Sequence, residues 1–124
     1  YGEGGGQVGD RGTIRGESFF AEVTDTFRAA GDLVVHRVTI TEGEAAEGSA
    51  VTAQVDSDRR RAIKAHHSAT HLLHEALVRV LGRHVTQAGS LVNEELLRFD
   101  FTHMKPLTPE EIEKVEMIVN RQIV

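Results

Sequence analysis

The chain has 124 residues, 40% apolar and 27% charged, which fits one soluble domain or two small lobes sharing a core. Its lack of cysteine excludes disulfides and thiolate metal ligands and predicts a reducing, cytoplasmic setting. A net charge of −5 argues against a dedicated nucleic-acid binder, and no apolar run approaches the ~18 residues of a membrane span.

Residues 1–12 read YGEGGGQVGDRG, and half of them are glycine. Gly4-x-Gly6-x-x-Gly9 matches the dinucleotide fingerprint in letters only, because no helical pattern follows it. The stretch predicts a loop with left-handed residues and close backbone approach. Gln7 and Asp10 are the polar side chains that this loop could present. Residues 13–55 are rich in short β-branched and aromatic runs, at 18–25, 33–40 and 49–56, separated by turn signals at Ala30-Gly31-Asp32 and Glu42-Gly43-Glu44. That spacing predicts a small β-barrel-like lobe over residues 1–56, filled by Phe19, Phe20, Phe27, Val35, Val38, Ile40, Val51 and Val55.

Asp56-Ser57-Asp58 predicts the cap of a long helix, since either acid can accept from free amides at a helix start. Residues 61–82, RAIKAHHSATHLLHEALVRVLG, carry apolar residues at Ala69, Leu72, Leu73, Ala76, Leu77, Val80 and Leu81. This is the stripe of a helix with one buried face, stopped by Gly82. His67, His71 and His74 then fall roughly opposite the stripe, while His66 lies near its edge as a satisfied core histidine. His67 and His71 are one turn apart, so their rings can converge on one metal ion, although a plain polar helix face explains the same pattern. His74 is left beside them as a supporting or surface residue. Between Arg59 and His84 the bases Arg59, Arg60, Arg61, Lys64, Arg79 and Arg83 face only the acid Glu75, which suits either phosphate attraction or a solvated helix start.

Two strand-like segments follow, 85–92 and 96–102, joined at Asn93-Glu94-Glu95. Leu97, Phe99 and Phe101 alternate with Arg98 and Asp100. Thr108, Pro109 and Glu111 carry the capping box of a last helix, which buries Ile112, Val115, Ile118 and Val119. Residues 57–124 therefore predict an α+β lobe of helix, antiparallel strands and helix. The chain starts without Met and stops at Val124 inside a helical pattern, so a C-terminally truncated piece of a larger protein is expected.

Four ordered stretches carry a family resemblance: Gly4-Gly-Gly-Gln-Val-Gly-Asp10, His67-Ser-Ala-Thr-His71-Leu-Leu-His74, Gln87-Ala-Gly-Ser-Leu-Val92 and Leu97-Arg-Phe-Asp-Phe101. Together they resemble the editing domain of alanyl-tRNA synthetases. The implied activity is deacylation, the hydrolysis of seryl-tRNA(Ala) and glycyl-tRNA(Ala) mischarged by an ATP-binding alanine–tRNA ligase. The implied partners are the acceptor end of tRNA(Ala), the mischarged seryl or glycyl group and the other domains of the synthetase, with no membrane. A free-standing alanyl-tRNA editing protein and a non-catalytic tRNA-binding module are the alternative readings.

The resemblance also implies zinc, held by His67 and His71 with a downstream Cys-x-x-x-His that this sequence does not contain. Thr70 and Gln87 match positions that the family uses around the substrate, and Gln7, Asp10 and Ser90 are expected in the same pocket. An aminoacyl ester is already activated, so such a site mainly has to orient water and stabilise an oxyanion. Zinc could anchor the terminal adenosine, hold the amine or polarise the ester. Selectivity would come from groups such as Thr70 and Gln87 that bond a seryl hydroxyl and are left unpaired when alanine enters.

Overall fold

The strand at the centre of the first sheet is the one the sequence conceals. β1 (Gly12–Gly16) reads GTIRG and lies between β2 (Phe19–Ala29) and β4 (Val51–Val55). With β3 (Leu33–Gly43) they form an antiparallel sheet in the order β3-β2-β1-β4. The glycine at its start has a steric cause, since a Cβ on Gly12 would stand 2.0 Å from the carbonyl oxygen of Gln54. β2 and β3 are eleven-residue strands joined through Ala30 and Gly31, both in the left-handed region. The computed structural model describes residues 1–123 and divides into two units, Tyr1–Ala62 and Ile63–Val124, each taken by itself below.

In the first unit the expectation of a barrel is corrected. The sheet is open, with β3 and β4 as its two edges. Four strands, two of them only five residues long, fall short of the roughly five to eight that close a small barrel. The register places Ile40, Ala21, Ile14 and Ala53 in one row and Val38, Val23, Gly12 and Val55 in the next. Ala21 and Val23, near the middle, are buried, whereas Val38, Ile40 and Val51 on the edge strands stay 39%, 45% and 50% exposed. Of the side chains expected to fill a barrel, Val38, Ile40 and Val55 lie in these two rows, whereas Phe27 and Val35 pair on the opposite face of the sheet, beside Arg37.

The glycine-rich segment is laid against the end of β2. The Glu3 amide donates to the Thr26 carbonyl, the Thr26 hydroxyl donates to the Asp10 carbonyl at 2.8 Å, and Gly4 and Gln7 pair across a one-bridge turn. Gly9 runs so close to this strand that a Cβ would sit 1.8 Å from the Thr26 carbonyl oxygen. Arg59, in the first turns of α1 (Ser57–Leu81), donates from its guanidinium to the Gly9 carbonyl at 2.9 Å. Asp56 is the N-cap of that helix: its carboxylate accepts from the Arg59 amide and its carbonyl from the Arg60 amide.

The second unit contains the rest of α1, a hairpin of β5 (Gln87–Val92) and β6 (Leu97–Phe101), and α2 (Pro109–Ile123). Ala76, Leu77, Val85 and Val115 are buried together, with Leu73, Phe99, Phe101, Ile118 and Val119 packed around them. The hairpin turn is closed by the Asn93 side chain, which accepts from the amides of Glu95 and Leu96 at 2.8 Å each. Thr108 and Glu111 exchange side-chain and backbone hydrogen bonds at 2.9 and 3.2 Å, completing the capping box of α2. Val124, through which the last helical pattern was expected to run, lies outside the described residues. Among the described residues no helix is long and apolar enough to cross a membrane.

Candidate functional site

The four histidines of α1 meet three different environments. His67 and His71 lie edge to face, with ring centroids 5.2 Å apart and planes at 62°. His71 is exposed, while His67 is half-buried and its Nδ1 is enclosed without a hydrogen-bond partner. His66 is satisfied, its Nδ1 lying 2.8 Å from the Asn93 carbonyl oxygen. His74 packs against Phe99, centroids 5.1 Å apart, so it leans on the aromatic hairpin instead of extending a polar histidine row.

The lone Nδ1 of His67 is the observation that bears on a metal. An unsatisfied buried nitrogen costs ~1–3 kcal/mol, and a bound ion is one way to recover it. A closed structural zinc site, however, takes four ligands and a catalytic one three. Among the described residues no group of three or more His, Cys, Asp or Glu side chains could hold a metal ion. The residues here do not fit a resident zinc, and the zinc-binding description drawn from the resemblance is corrected on that ground.

Thr70 is half-buried and its hydroxyl donates to the His66 carbonyl at 2.9 Å, a helix back-bond. Its proton is committed, which leaves only acceptor capacity for any ligand. Gln87 donates from Nε2 to the Ser90 hydroxyl at 3.1 Å. Residues three apart on a regular strand point to opposite faces, but the register shift between Gln87 and Gly89 inserts one residue and resets the alternation. The bulge joins Gln87 and Ser90 into one pair, and only Gly89 hinted at it in the sequence. A Cβ at Gly89 would meet the Asp100 carboxylate at 2.9 Å.

Gln7 and Asp10 belong to the first unit and have partners there. Asp10 is buried, with its carboxylate 2.7 Å from the Tyr1 backbone nitrogen and 3.8 Å from the Arg60 guanidinium. Gln7 pairs through its backbone with Gly4. Beside Asp10 a cavity of about 250 Å³ is lined by Thr26, His36, Gln54 and Arg60 among others. Sequence reasoning did not group these residues, because they come from three strands and a helix.

Comparison with known proteins bears on the two units differently. The family model for tRNA synthetases class II (A) matches residues 1–59, close to the extent of the first unit, Tyr1–Ala62. An alanine–tRNA ligase of Methylococcus capsulatus is 53% identical over 123 residues, 99% of this chain and 14% of the relative. An alanine–tRNA ligase of Nitrobacter winogradskyi is 55% identical over 120 residues, 97% of this chain and again 14% of the relative. The chain thus spans about one seventh of the length of the curated relatives it matches. These matches overturn the assignment to an editing domain: the likeness is to class II synthetases and to alanine–tRNA ligases in general. Deacylase activity, proofreading and hydrolysis of seryl- or glycyl-tRNA(Ala) are not what they identify. What stands is a chain similar, over nearly all of its residues, to one segment of alanine–tRNA ligases.

Proposed function

We propose that this chain is a segment of a cytoplasmic alanine–tRNA ligase and gives that enzyme a contact surface for the acceptor end of tRNA(Ala). The observation that carries the reading is the 53–55% identity over 97–99% of the chain to proteins of that name. Local charge supports the RNA contact. Arg61 and Lys64 are both exposed and three residues apart on α1, so they are neighbours on the helix surface. The ion pair of Arg61 with Asp58, at 3.6 Å and open to solvent, is too weak to withhold that cation from a phosphate. With a net charge of −5 on the whole chain, attraction must come from such a local patch. His67, His71, Gln87 and Ser90 are the polar groups of the second unit assigned to nucleotide contacts. Thr70 takes part only as an acceptor, and Gln7 and Asp10 hold the glycine-rich loop.

The test is tRNA(Ala) binding by the chain across a salt series. Replacing Arg61 and Lys64 together by alanine is expected to weaken binding and reduce the log–log salt slope by about one to two. An unchanged slope removes the α1 patch from the interface.

A further inference from the structure

We propose that His84 and His103 form an exchangeable site for a late first-row divalent metal ion, of the Ni²⁺ or Cu²⁺ class, on the second unit. Neither residue belongs to the histidine row of α1. His84 lies in the turn after α1 and His103 in the loop after β6, nineteen residues apart in sequence. Their ring planes differ by 23°, their centroids are 5.0 Å apart, and His84 Nε2 lies 2.7 Å from His103 Nδ1, so the rings meet edge to edge.

The scaffold beneath the pair is fixed. The Thr102 amide donates to the Thr86 carbonyl, the two threonine hydroxyls are 2.8 Å apart, and the Thr102 hydroxyl donates to the His84 carbonyl at 3.2 Å. The His84 ring lies against Gly82, where a Cβ would be 3.1 Å from its Nδ1.

At 2.7 Å one imidazole nitrogen must donate to the other, so the two in-plane axes already converge on the space between them. A divalent ion in that space, with metal–nitrogen bonds of about 2.0–2.1 Å meeting at about 90° to 109°, needs the nitrogens about 2.9–3.3 Å apart. The pair therefore has to open by about 0.2–0.6 Å, and both rings have to turn so that their lone pairs meet at the ion. The ring that was donating moves its N–H to its other nitrogen. Both bonding nitrogens then offer lone pairs, and a neutral pair releases no net proton. His84 is exposed and His103 half-buried, which leaves the remaining positions to water and makes the ion exchangeable.

The formal charges lining the site are one carboxylate, Glu111, and one ammonium, Lys105. His84, His103, Lys105, Thr108 and Glu111 line one cavity of about 480 Å³. The hydrogen bond from the Thr108 amide, foremost, holds the Glu111 carboxyl below its ordinary range. Lys105 is the opposing charge. The His67–His71 pair is a poorer chelate, because its planes cross at 62° and the His67 Nδ1 is enclosed. Imidazole suits nickel and copper, and copper is expected to bind the tighter of the two.

The test is titration of the untagged chain with Ni²⁺, followed by calorimetry and by paramagnetic broadening of amide signals. The expected result is loss of the Thr86, Thr102 and Met104 signals first. His103→Gln and His84→Gln should each weaken binding about tenfold or more. Lys105→Gln should tighten it about two- to threefold. Unshifted Leu91 and Arg98 amides in the metal-free variants establish that the hairpin is intact. Broadening that begins at Ser68 to Leu72, or undiminished affinity in both histidine variants, overturns the proposal. So does weaker Ni²⁺ binding in Lys105→Gln.

Discussion

The two units are nearly equal in length, and the interior of each is held by different means. In the second, apolar side chains from α1, the β5–β6 hairpin and α2 share one buried cluster. In the first, the buried apolar side chains are small or β-branched, Ala21 and Val23, and they sit beside the buried polar Asp10 and Thr26. Strand ladders and a set of polar ties carry that unit: Thr26 to Asp10, Arg59 to Gly9, and Arg11 to the Thr24 carbonyl. A side-chain core is sensitive to lost volume, whereas a polar and backbone-packed unit is sensitive to added atoms and lost bonds.

That contrast can be broken by substitution. Leu77→Ala, at a side chain only 2% exposed, should cost about 3 kcal/mol and strip hydrogen-exchange protection from β5, β6 and α2. Equal loss of protection in β1 to β3 would mean that the cluster supports both units. Gly9→Ala should cost about 2 kcal/mol, because its Cβ meets the Thr26 carbonyl oxygen. Deprotection is expected at the Glu3 amide, whose acceptor is that same oxygen. Full protection there would mean that the loop yields without strain.

Smaller effects sharpen the comparison. Thr108→Ala removes one half of the α2 capping box and should cost about 1 kcal/mol, read by denaturant titration. Ile40→Thr on the exposed sheet face should change stability by only about 0.5 kcal/mol or less. A larger loss would show that this face is covered in solution. The smallest effect is in pH dependence. Glu111 has a lowered native pKa, caused first by the hydrogen bond from the Thr108 amide. Its contribution is complete above the unfolded glutamate value of about 4.3 and disappears as pH falls through the lowered native value. Glu111→Gln should flatten the acid side of the melting curve, and an unaltered curve would remove Glu111 from the linkage.

Local signals read well where the physics is local. Asp56 caps α1, Thr108 and Glu111 form the box, Asn93 closes the hairpin turn, and Leu97, Phe99 and Phe101 alternate with an Arg98–Asp100 pair on the other side. Each depends on atoms within a few residues of one another. β1 was not resolved as a strand because both its ends are glycine, and the reason for Gly12 is a carbonyl forty-two residues away. The barrel failed for a related reason. Alternation shows which side chains share a face, but not whether the sheet closes.

The candidate site divides the same way. The spacing of His67 and His71 was visible as one helical turn, but the enclosure of the His67 Nδ1 was not. The joining of Gln87 to Ser90 required a bulge, and the commitment of the Thr70 hydroxyl depended on its rotamer. Helix periodicity, caps and turn chemistry were settled by the sequence alone, since they follow from backbone geometry and near neighbours. The open sheet, the partners of each histidine and the meeting of His84 with His103 were decided only in three dimensions, where residues far apart in the chain compete for the same space and the same hydrogen bonds.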